Sequence, residues 1–320
     1  MTKMSDVSMV TAFAPASIGN VCVGFDILGL ALAGVGDRVT AKITNTAGVS
    51  VAGVYGLDGA IHPYLSKETD HNTASIAVKA LWEAHGNSAG VELFIRKGIP
   101  LQSGMGSSAA SAVAAAVAAN ALLPKPLAHE QLLPFALEGE KYASGELHAD
   151  NVAPSLMGGF VLCPVVLLPK MIQLRTPTGV SSVLVHPELK INTAHARHSL
   201  AKKYTMKKWL SQQGYLAGLI TGCATDDYDL IRCSFHDVII EPQRSVAIGC
   251  FNVVKEAAMK ADALGVSIAG SGPSIFALCM NVNASNVATA MEQACRTFGL
   301  ECQSWVSTMT APGAYVEGGQ

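Results

Sequence analysis

The stretch PLQSGMGSSAAS at residues 100–111 is the most informative part of the chain. Before it, Val91, Leu93 and Ile95 alternate with Glu92, Phe94 and Arg96, the spacing of a strand. After it, alanines and valines continue to residue 123 with almost no charge, as expected of a buried helix. A glycine- and serine-rich loop therefore joins a strand to a helix. Glycine lets the backbone approach a ligand and adopt dihedrals closed to other residues. A helix start leaves N–H groups unpaired and carries the positive end of the dipole. Together these make a cradle for an anion, most naturally a phosphate. Ser103, Ser107 and Ser108 add hydroxyls for phosphate oxygens or a magnesium ion. A plain Ser/Gly helix cap with no ligand is the competing reading.

Other loops of this kind fit less well. There is no Gly-Lys-Ser/Thr, so this is not a Walker loop. Gly104, Gly106 and Ala109 match GxGxxA. A dinucleotide fold would place that motif directly after its strand, with a ribose-binding acid about 20 residues on. Here residues 100–103 intervene, and the first later acid is Glu130. Residues 86–90 read GNSAG, a GxSxG match, but with a helix before and a strand after. A nucleophile elbow needs the reverse order.

Composition sets the frame. The 320 residues are 50% hydrophobic and 14% charged, which excludes a mostly disordered chain. The net charge of −2 leaves no basic excess for nucleic acid or an acidic membrane. Mean hydropathy is +0.33, yet the longest low-charge stretch, residues 105–123, is built of small residues and reads as a buried helix rather than a membrane span. Eight scattered cysteines include no CxxC pair, so most are expected in the core of a protein from a reducing compartment. No apolar signal core follows a basic start, and a cytoplasmic location is expected.

Strands are predicted at 10–14, 21–28 and 39–44, then a helix over 73–85 and the strand at 91–96. Residues 127–142 read as a helix kinked or bounded at Pro134, and 158–168 as a buried strand. Further on come a strand at 183–186, a basic helix over 194–214 and a helix over 246–264. Strands at 266–269 and 274–280 flank a Gly-Ser-Gly-Pro turn, followed by a helix over 287–298 and a strand around Trp305. With no regular βαβα beat, the fold class is α+β. A boundary near residues 168–177 divides the chain into 1–170 and 171–320.

Three more segments concentrate polar groups. GELHADNVAPSLMGGF at 145–160 clusters His148, Asp150 and Asn151, downstream of Glu138 and Glu140 on a helix. A glutamate near a phosphate loop could complete a magnesium site. AGSGPSIFAL at 269–278 is a tight hairpin or a backbone contact to a ligand. In the N-terminal stretch 14–32, Asn20 and Asp26 stand among apolar residues and need partners. His195 and His198, and Lys202, Lys203, Lys207 and Lys208, read as surface groups.

In order, APASIGNVCVGFDILG (14–29), PLQSGMGSSAAS, HADNVAPSLMGGF (148–160), IIEPQR (239–244) and AGSGPSIFAL make the chain resemble the GHMP small-molecule kinases, and within them the branch acting on homoserine. The resemblance covers nearly the whole chain. It implies an N-terminal domain like domain 2 of ribosomal protein S5, a ferredoxin-like C-terminal domain and an active site between them. It implies Mg²⁺-dependent transfer of the ATP γ-phosphoryl group to the side-chain hydroxyl of L-homoserine, giving O-phospho-L-homoserine for threonine synthesis. A homodimer is expected, with no nucleic-acid or membrane partner.

The resemblance also implies residue roles. Pro100, Leu101, Gln102, Ser103, Gly104, Met105, Gly106, Ser107, Ser108, Ala109 and Ala110 wrap the triphosphate, and Asn72 touches the base. Ser108 and Glu140 hold the magnesium ion. Asn20, Asp26 and His148 hold the amino acid, with Asp26 facing its ammonium. Arg197 and Arg244 face its carboxylate, where a guanidinium fork suits two oxygens. Ser271 and Gly272 shape the cleft floor. Some GHMP kinases use an aspartate as base; here Asn151 stands there and cannot take a proton. Catalysis without a protein base is expected, with Asp150 the nearby acid that could contradict it. The residues after Arg197, Leu200-Ala201-Lys202-Lys203, depart from the Leu-Pro-Lys-like turn of the family, and Met105 replaces its commoner leucine.

Overall fold

The computed structural model describes residues 8–87, 89–189 and 200–318. The N-terminal third makes long antiparallel ribbons because its apolar residues repeat at the strand period. β1 (Met9–Gly19) alternates exposed and buried side chains and then becomes wholly buried. It pairs with β2 (Leu28–Thr44), from Met9↔Lys42 to Gly19↔Gly29. β3 (Val49–Tyr55) lies parallel to β4 (Gly90–Arg96), reached through helix α1 (Thr73–Ala84). β5 (Phe160–Leu162) adds to β2, and β6 (Ile172–Leu174) adds to β5. The chain end returns as β11 (Tyr315–Val316) beside β1. The sheet order is β11-β1-β2-β4-β3, with β5 and β6 branching from β2.

Helix α2 (Ser107–Asn120) lies across this sheet, and every residue from Ala109 to Asn120 is buried. A helix apolar all round belongs inside. It packs against β1 and β2 on one side and against α1 and α3 (Leu133–Ser144) on the other. Alanine's small side chain permits those close approaches. The short α4 (Val152–Met157) closes the layer.

The second sheet has the order β10-β7-β9-β8, all antiparallel. Its strands are β7 (Val180–Pro187), β8 (Ala263–Ile268), β9 (Ile275–Met280) and β10 (Cys302–Thr308). Helix α8 (Phe251–Lys260) precedes β8, and α9 (Ala284–Thr297) joins β9 to β10, completing the βαββαβ ferredoxin-like pattern. Helices α5 (Met206–Thr225), α6 (Tyr228–Ser234) and α7 (Glu241–Arg244) are inserted after β7. All of β7 is buried because it lies between two cores. Val180 and Leu184 join the large first core, while Val183 and Val185 join the core under α8 and α9. Strand pairing passes to the second sheet between Leu174 and Val180, a few residues after position 170, and Tyr315–Val316 recrosses to the first.

Several sequence expectations are corrected. Of the strand read at 21–28 only Leu28 is strand, as the start of β2: Asn20, Val21, Cys22 and Asp26 all have positive φ, so 20–27 is a loop. Apolar content came from burial of that loop, not from a ladder. Pro134 marks a boundary rather than a kink: it sits in the first turn of α3, where its missing N–H costs nothing, so the helix starts at Leu133 and not at 127. The stretch 158–168 supplies only three strand residues before a 3₁₀ turn at Val165–Leu167. The helix read at 246–264 is shorter, since β8 starts at Ala263. Of the basic helix read at 194–214, residues 194–199, with His195, Arg197 and His198, lie outside the described residues; α5 begins at Met206 and runs on to Thr225. The four lysines are exposed as read. β3 and α4 were not anticipated.

Gly29 is where the sheet touches the HADN segment. A Cβ there would lie 2.0 Å from the Asp150 carbonyl oxygen. Gly29→Ala is therefore expected to lower stability by about 1–3 kcal/mol in urea denaturation. Gly214→Ala, at an exposed position of α5 with open space around it, is the control and should raise stability by up to about 1 kcal/mol.

Candidate active site

The glycine-rich loop closes on the seam between the two sheets. Gly104 and Gly106 have φ of +78° and +69°. A Cβ on Gly104 would stand 2.5 Å from the Ala269 carbonyl and 2.7 Å from that of Gly272. One on Gly106 would stand 2.2 Å from Ser17 Oγ. Both positions need glycine for conformation and for space. The Ser103 carbonyl accepts the Ser274 N–H at 3.2 Å, so the loop is stitched to the β8–β9 turn. Helix α2 starts at Ser107 with no side-chain cap on its first turn. Its N–H groups and dipole thus point into the cleft.

That cleft has a volume of about 540 Å³. Leu101, Gln102, Ser103, Gly104, Gly106, Ser107 and Ser108 line it, with Asn151, Glu140, Gly270 and Ser271 opposite. Pro100, Met105, Ala109 and Ala110 do not line it. Met105, Ala109 and Ala110 are fully buried in the core, and the Ala110 N–H is spent on the Gly106 carbonyl at 2.9 Å. Asn72 lines the cleft, but its amide caps α1, accepting from Ala74 N–H at 3.0 Å and donating to the Ser66 carbonyl at 2.8 Å. These bonds fix Asn72 in the cleft wall.

At the cradle, Ser108 Oγ donates to Glu140 Oε2 at 2.6 Å. Burial pushes the Glu140 carboxyl up to about 7, against the pull of the Ser108 hydroxyl. Among the described residues no group of three or more His, Cys, Asp or Glu is gathered for a metal ion. One carboxylate and one hydroxyl beside a phosphate cradle suit a cation that keeps waters and takes phosphate oxygens, as Mg²⁺ does.

On the other side of Gly270 lies a second polar cluster. Asn20 sits in the strained loop: its N–H donates to Asp150 Oδ2 at 3.0 Å and its Nδ2 to the Gly270 carbonyl at 2.9 Å. Its Oδ1 accepts the Asp26 N–H at 3.0 Å. His148 Nδ1 is 3.5 Å from Asp26 Oδ1, and its Nε2 is 3.5 Å from Glu146 Oε2. Arg244, buried at the end of α7, donates to the same Gly270 carbonyl at 2.7 Å, and its guanidinium lies 5.0 Å from the centre of the Phe25 ring. Asp237 aims it by accepting the N–H groups of Ile239, Ile240 and Glu241 at 2.8, 2.9 and 3.0 Å. Asn20, Asp26, His148 and Arg244 are thus brought together, and Arg197 lies outside the described residues.

Asn151 and Asp150 point to different places. Asn151 lines the cleft, and its Oδ1 accepts from Ser17 Oγ at 2.9 Å. Asp150 is buried behind the 20–27 loop and does not line it. Burial, and then the charge of Asp26, push its carboxyl up to about 7.

Some lining residues carried no motif: Tyr64, Ser66, His71, Thr73, Lys97 and Tyr142. His71 Nδ1 and Tyr142 OH meet at 2.9 Å across the cleft rim. These residues come from the 56–73 stretch, the end of β4 and α3, and only folding brings them together.

The comparisons agree with this geometry. The model of the GHMP kinases N terminal domain matches residues 72–159, and that of the GHMP kinases C terminal region matches 234–297. Homoserine kinase of Xylella fastidiosa is 43% identical over 304 residues, covering 95% of this chain and 92% of the relative. Homoserine kinase of Chlorobium phaeobacteroides is 42% identical over 320 residues, covering 96% and 99%. The crystal structure of homoserine kinase from Cytophaga hutchinsonii superposes with a TM-score of 0.93 at 39% identity, covering 99% of both chains. The glycine- and serine-rich loop at the seam of two layered units accords with these matches, and the chain belongs to the GHMP kinase family. Within it, identity at this level over nearly the full length places the chain among the homoserine kinases.

The raised carboxyls set a pH dependence. The folded chain holds protons on Glu140 and Asp150 that the unfolded chain has lost between the ordinary carboxylate range and about 7. Stability from these groups therefore falls as pH rises through that window. His186, held down to about 4 by burial, works the other way, because its stability is lost as pH falls below the ordinary histidine value. The comparison is thus of each variant with wild type. Glu140→Gln and Asp150→Asn should each gain Tm relative to wild type between pH 5 and about 7.5, read by calorimetry without nucleotide.

Proposed function

We propose that this chain transfers the γ-phosphoryl group of ATP to the side-chain hydroxyl of L-homoserine, releasing ADP and O-phospho-L-homoserine for threonine synthesis. One observation carries the reading: the amino-acid cluster and the anion cradle share Gly270. Its carbonyl anchors Asn20 and Arg244, while Gly270 itself lines the phosphate cleft. A substrate alcohol held by the first group would stand beside a phosphate held by the second.

The roles follow from chemistry. Asp26, braced by His148, would face the substrate ammonium, and Arg244 its carboxylate. Arg197 is proposed as a second arginine there. The N–H groups of the loop and of the α2 start would neutralise the β- and γ-phosphates. Ser108 and Glu140 would hold a magnesium ion, which when bound supplies charge neutralisation on the phosphate oxygens. Phosphoryl transfer depends chiefly on positioning and electrostatics. Asn151 faces the cleft and can donate an amide N–H but cannot accept a proton there. Asp150 is engaged with Asn20 behind the loop. This supports transfer without a protein base. The division at residues 170/171, a cytoplasmic setting and a homodimer are proposed alongside. Eight free cysteines, six of them buried, support the reducing compartment. No helix among the described residues is long and apolar enough to cross a membrane.

Turnover of ATP–Mg²⁺ with L-homoserine, mevalonate and galactose in parallel tests the reading, with ADP and phosphorylated product both measured. Preference for homoserine by a hundredfold or more in kcat/KM is expected, from the charge pairs on both ends of the amino acid. Turnover of another alcohol instead would discard the amino-acid pocket. Asp150→Asn should keep its kcat within about tenfold, whereas loss of several orders of magnitude with unchanged KM would make Asp150 the base.

A further inference from the structure

The loop that cradles the anion is tied at both ends to one buried side chain. Lys97 leaves β4 just before the loop. Its Nζ donates to the Ser107 carbonyl at 2.8 Å, to Ser111 Oγ at 2.7 Å and to the Asp37 carboxylate. An ammonium has three N–H donors, and these bonds use all of them. Lys97 lines the cleft, yet no donor remains for a phosphate oxygen.

Asp37, on β2, is fully buried. Its Oδ1 accepts the N–H groups of Gly98 at 2.9 Å and Ile99 at 3.2 Å, where the loop begins. Its Oδ2 takes Lys97 and the Ser111 hydroxyl, the latter at 2.6 Å. Ser107 and Ser111 form the first turn of α2, where the loop ends. Backbone groups on either side of the loop are therefore held on one Lys97–Asp37–Ser111 knot.

We propose that Lys97, locked by Asp37 and Ser111, is a positioning residue that clamps the two ends of the loop and so preforms the anion cradle. The inference rests on the phosphotransfer reading above and adds a residue to it. Tying the ends removes conformations the loop would otherwise lose on binding a nucleotide. A buried ion pair stabilises a fold poorly compared with apolar residues of the same shape. Its place under the loop makes sense as geometry.

The test uses the full chain. Lys97→Met alone would strand the Asp37 charge in the core, so the main variant is K97M/D37N, which removes both charges and keeps an oxygen for Gly98 and Ile99. Ser111→Ala is the milder second variant. Hydrogen exchange of the amides of residues 101–106, without nucleotide, should speed up about tenfold or more in the double variant. Affinity for ADP–Mg²⁺ by calorimetry should weaken about tenfold, and KM for ATP should rise in step, while KM for L-homoserine stays within about twofold. Ser111→Ala should move the same readouts less. Unchanged exchange and ADP affinity in a folded variant would overturn the clamp. Equal rises in both KM values with a lowered Tm would also overturn it, as general loosening. If the double variant does not fold, Ser111→Ala decides by the same criteria. The exchange measurement needs no substrate, so it stays decisive even if homoserine proves not to be the acceptor.

Discussion

The structure depends on a backbone-to-backbone approach at Gly104, Gly19 and the 269–274 turn. The Gly270 N–H donates to the Gly19 carbonyl at 3.1 Å, and a Cβ on Gly270 would stand 2.8 Å from the Gly104 carbonyl. Two units with separate sheets meet there through glycines, so three loops share a space that side chains would fill. The glycine-rich loop, the cluster of Asn20 and Arg244 and the cleft floor are all edges of this contact. Because each loop is pinned to another unit, neither half can present the complete site alone.

That contact explains the strain beside it. Val21 is β-branched, yet its φ is +39°, and Asn20, Cys22 and Asp26 are also left-handed. Such a run persists only if its surroundings over-determine it. Here they do: Asp150 holds the Asn20 N–H, Gly270 holds its amide, and Asn20 in turn holds the Asp26 N–H. The raised Asp150 carboxyl belongs to the same bargain, since a buried acid beside Asp26 is the group that fixes the loop.

The sequence made the cradle and its place between strand and helix legible, because glycine, serine and alanine there have local reasons to be where they are. The second sheet was legible for the same reason, through the tight turn between β8 and β9. The loop at 20–27 was not: its apolar residues look like a strand, and only the contact with Gly270 and Asp150, far along the chain, bends it. Asn72 carries two readings at once: the resemblance implies a base contact and the residue lines the cleft, while the local sequence Asn-Thr-Ala also makes it the helix cap of α1.

Lys97, Asp37 and Ser111 lay in plain view without a signal. Asp37 sits in the middle of a strand, Lys97 just before a motif, and Ser111 inside an alanine helix. No spacing rule connects them, since they are 60 and 14 residues apart in pairs with Lys97. What connects them is that a buried charge must find its counter-charge and that an ammonium must fill its three donors. An acid within one strand and a lysine just past the end of another is the only trace this knot leaves in the sequence. Because β2 and β4 run antiparallel with Arg38 opposite Arg96, Asp37 before Arg38 and Lys97 after Arg96 both fall one step beyond that pair on the same side, at the same sheet end. The pairing register, rather than any motif, therefore brings the acid under the loop that the lysine begins.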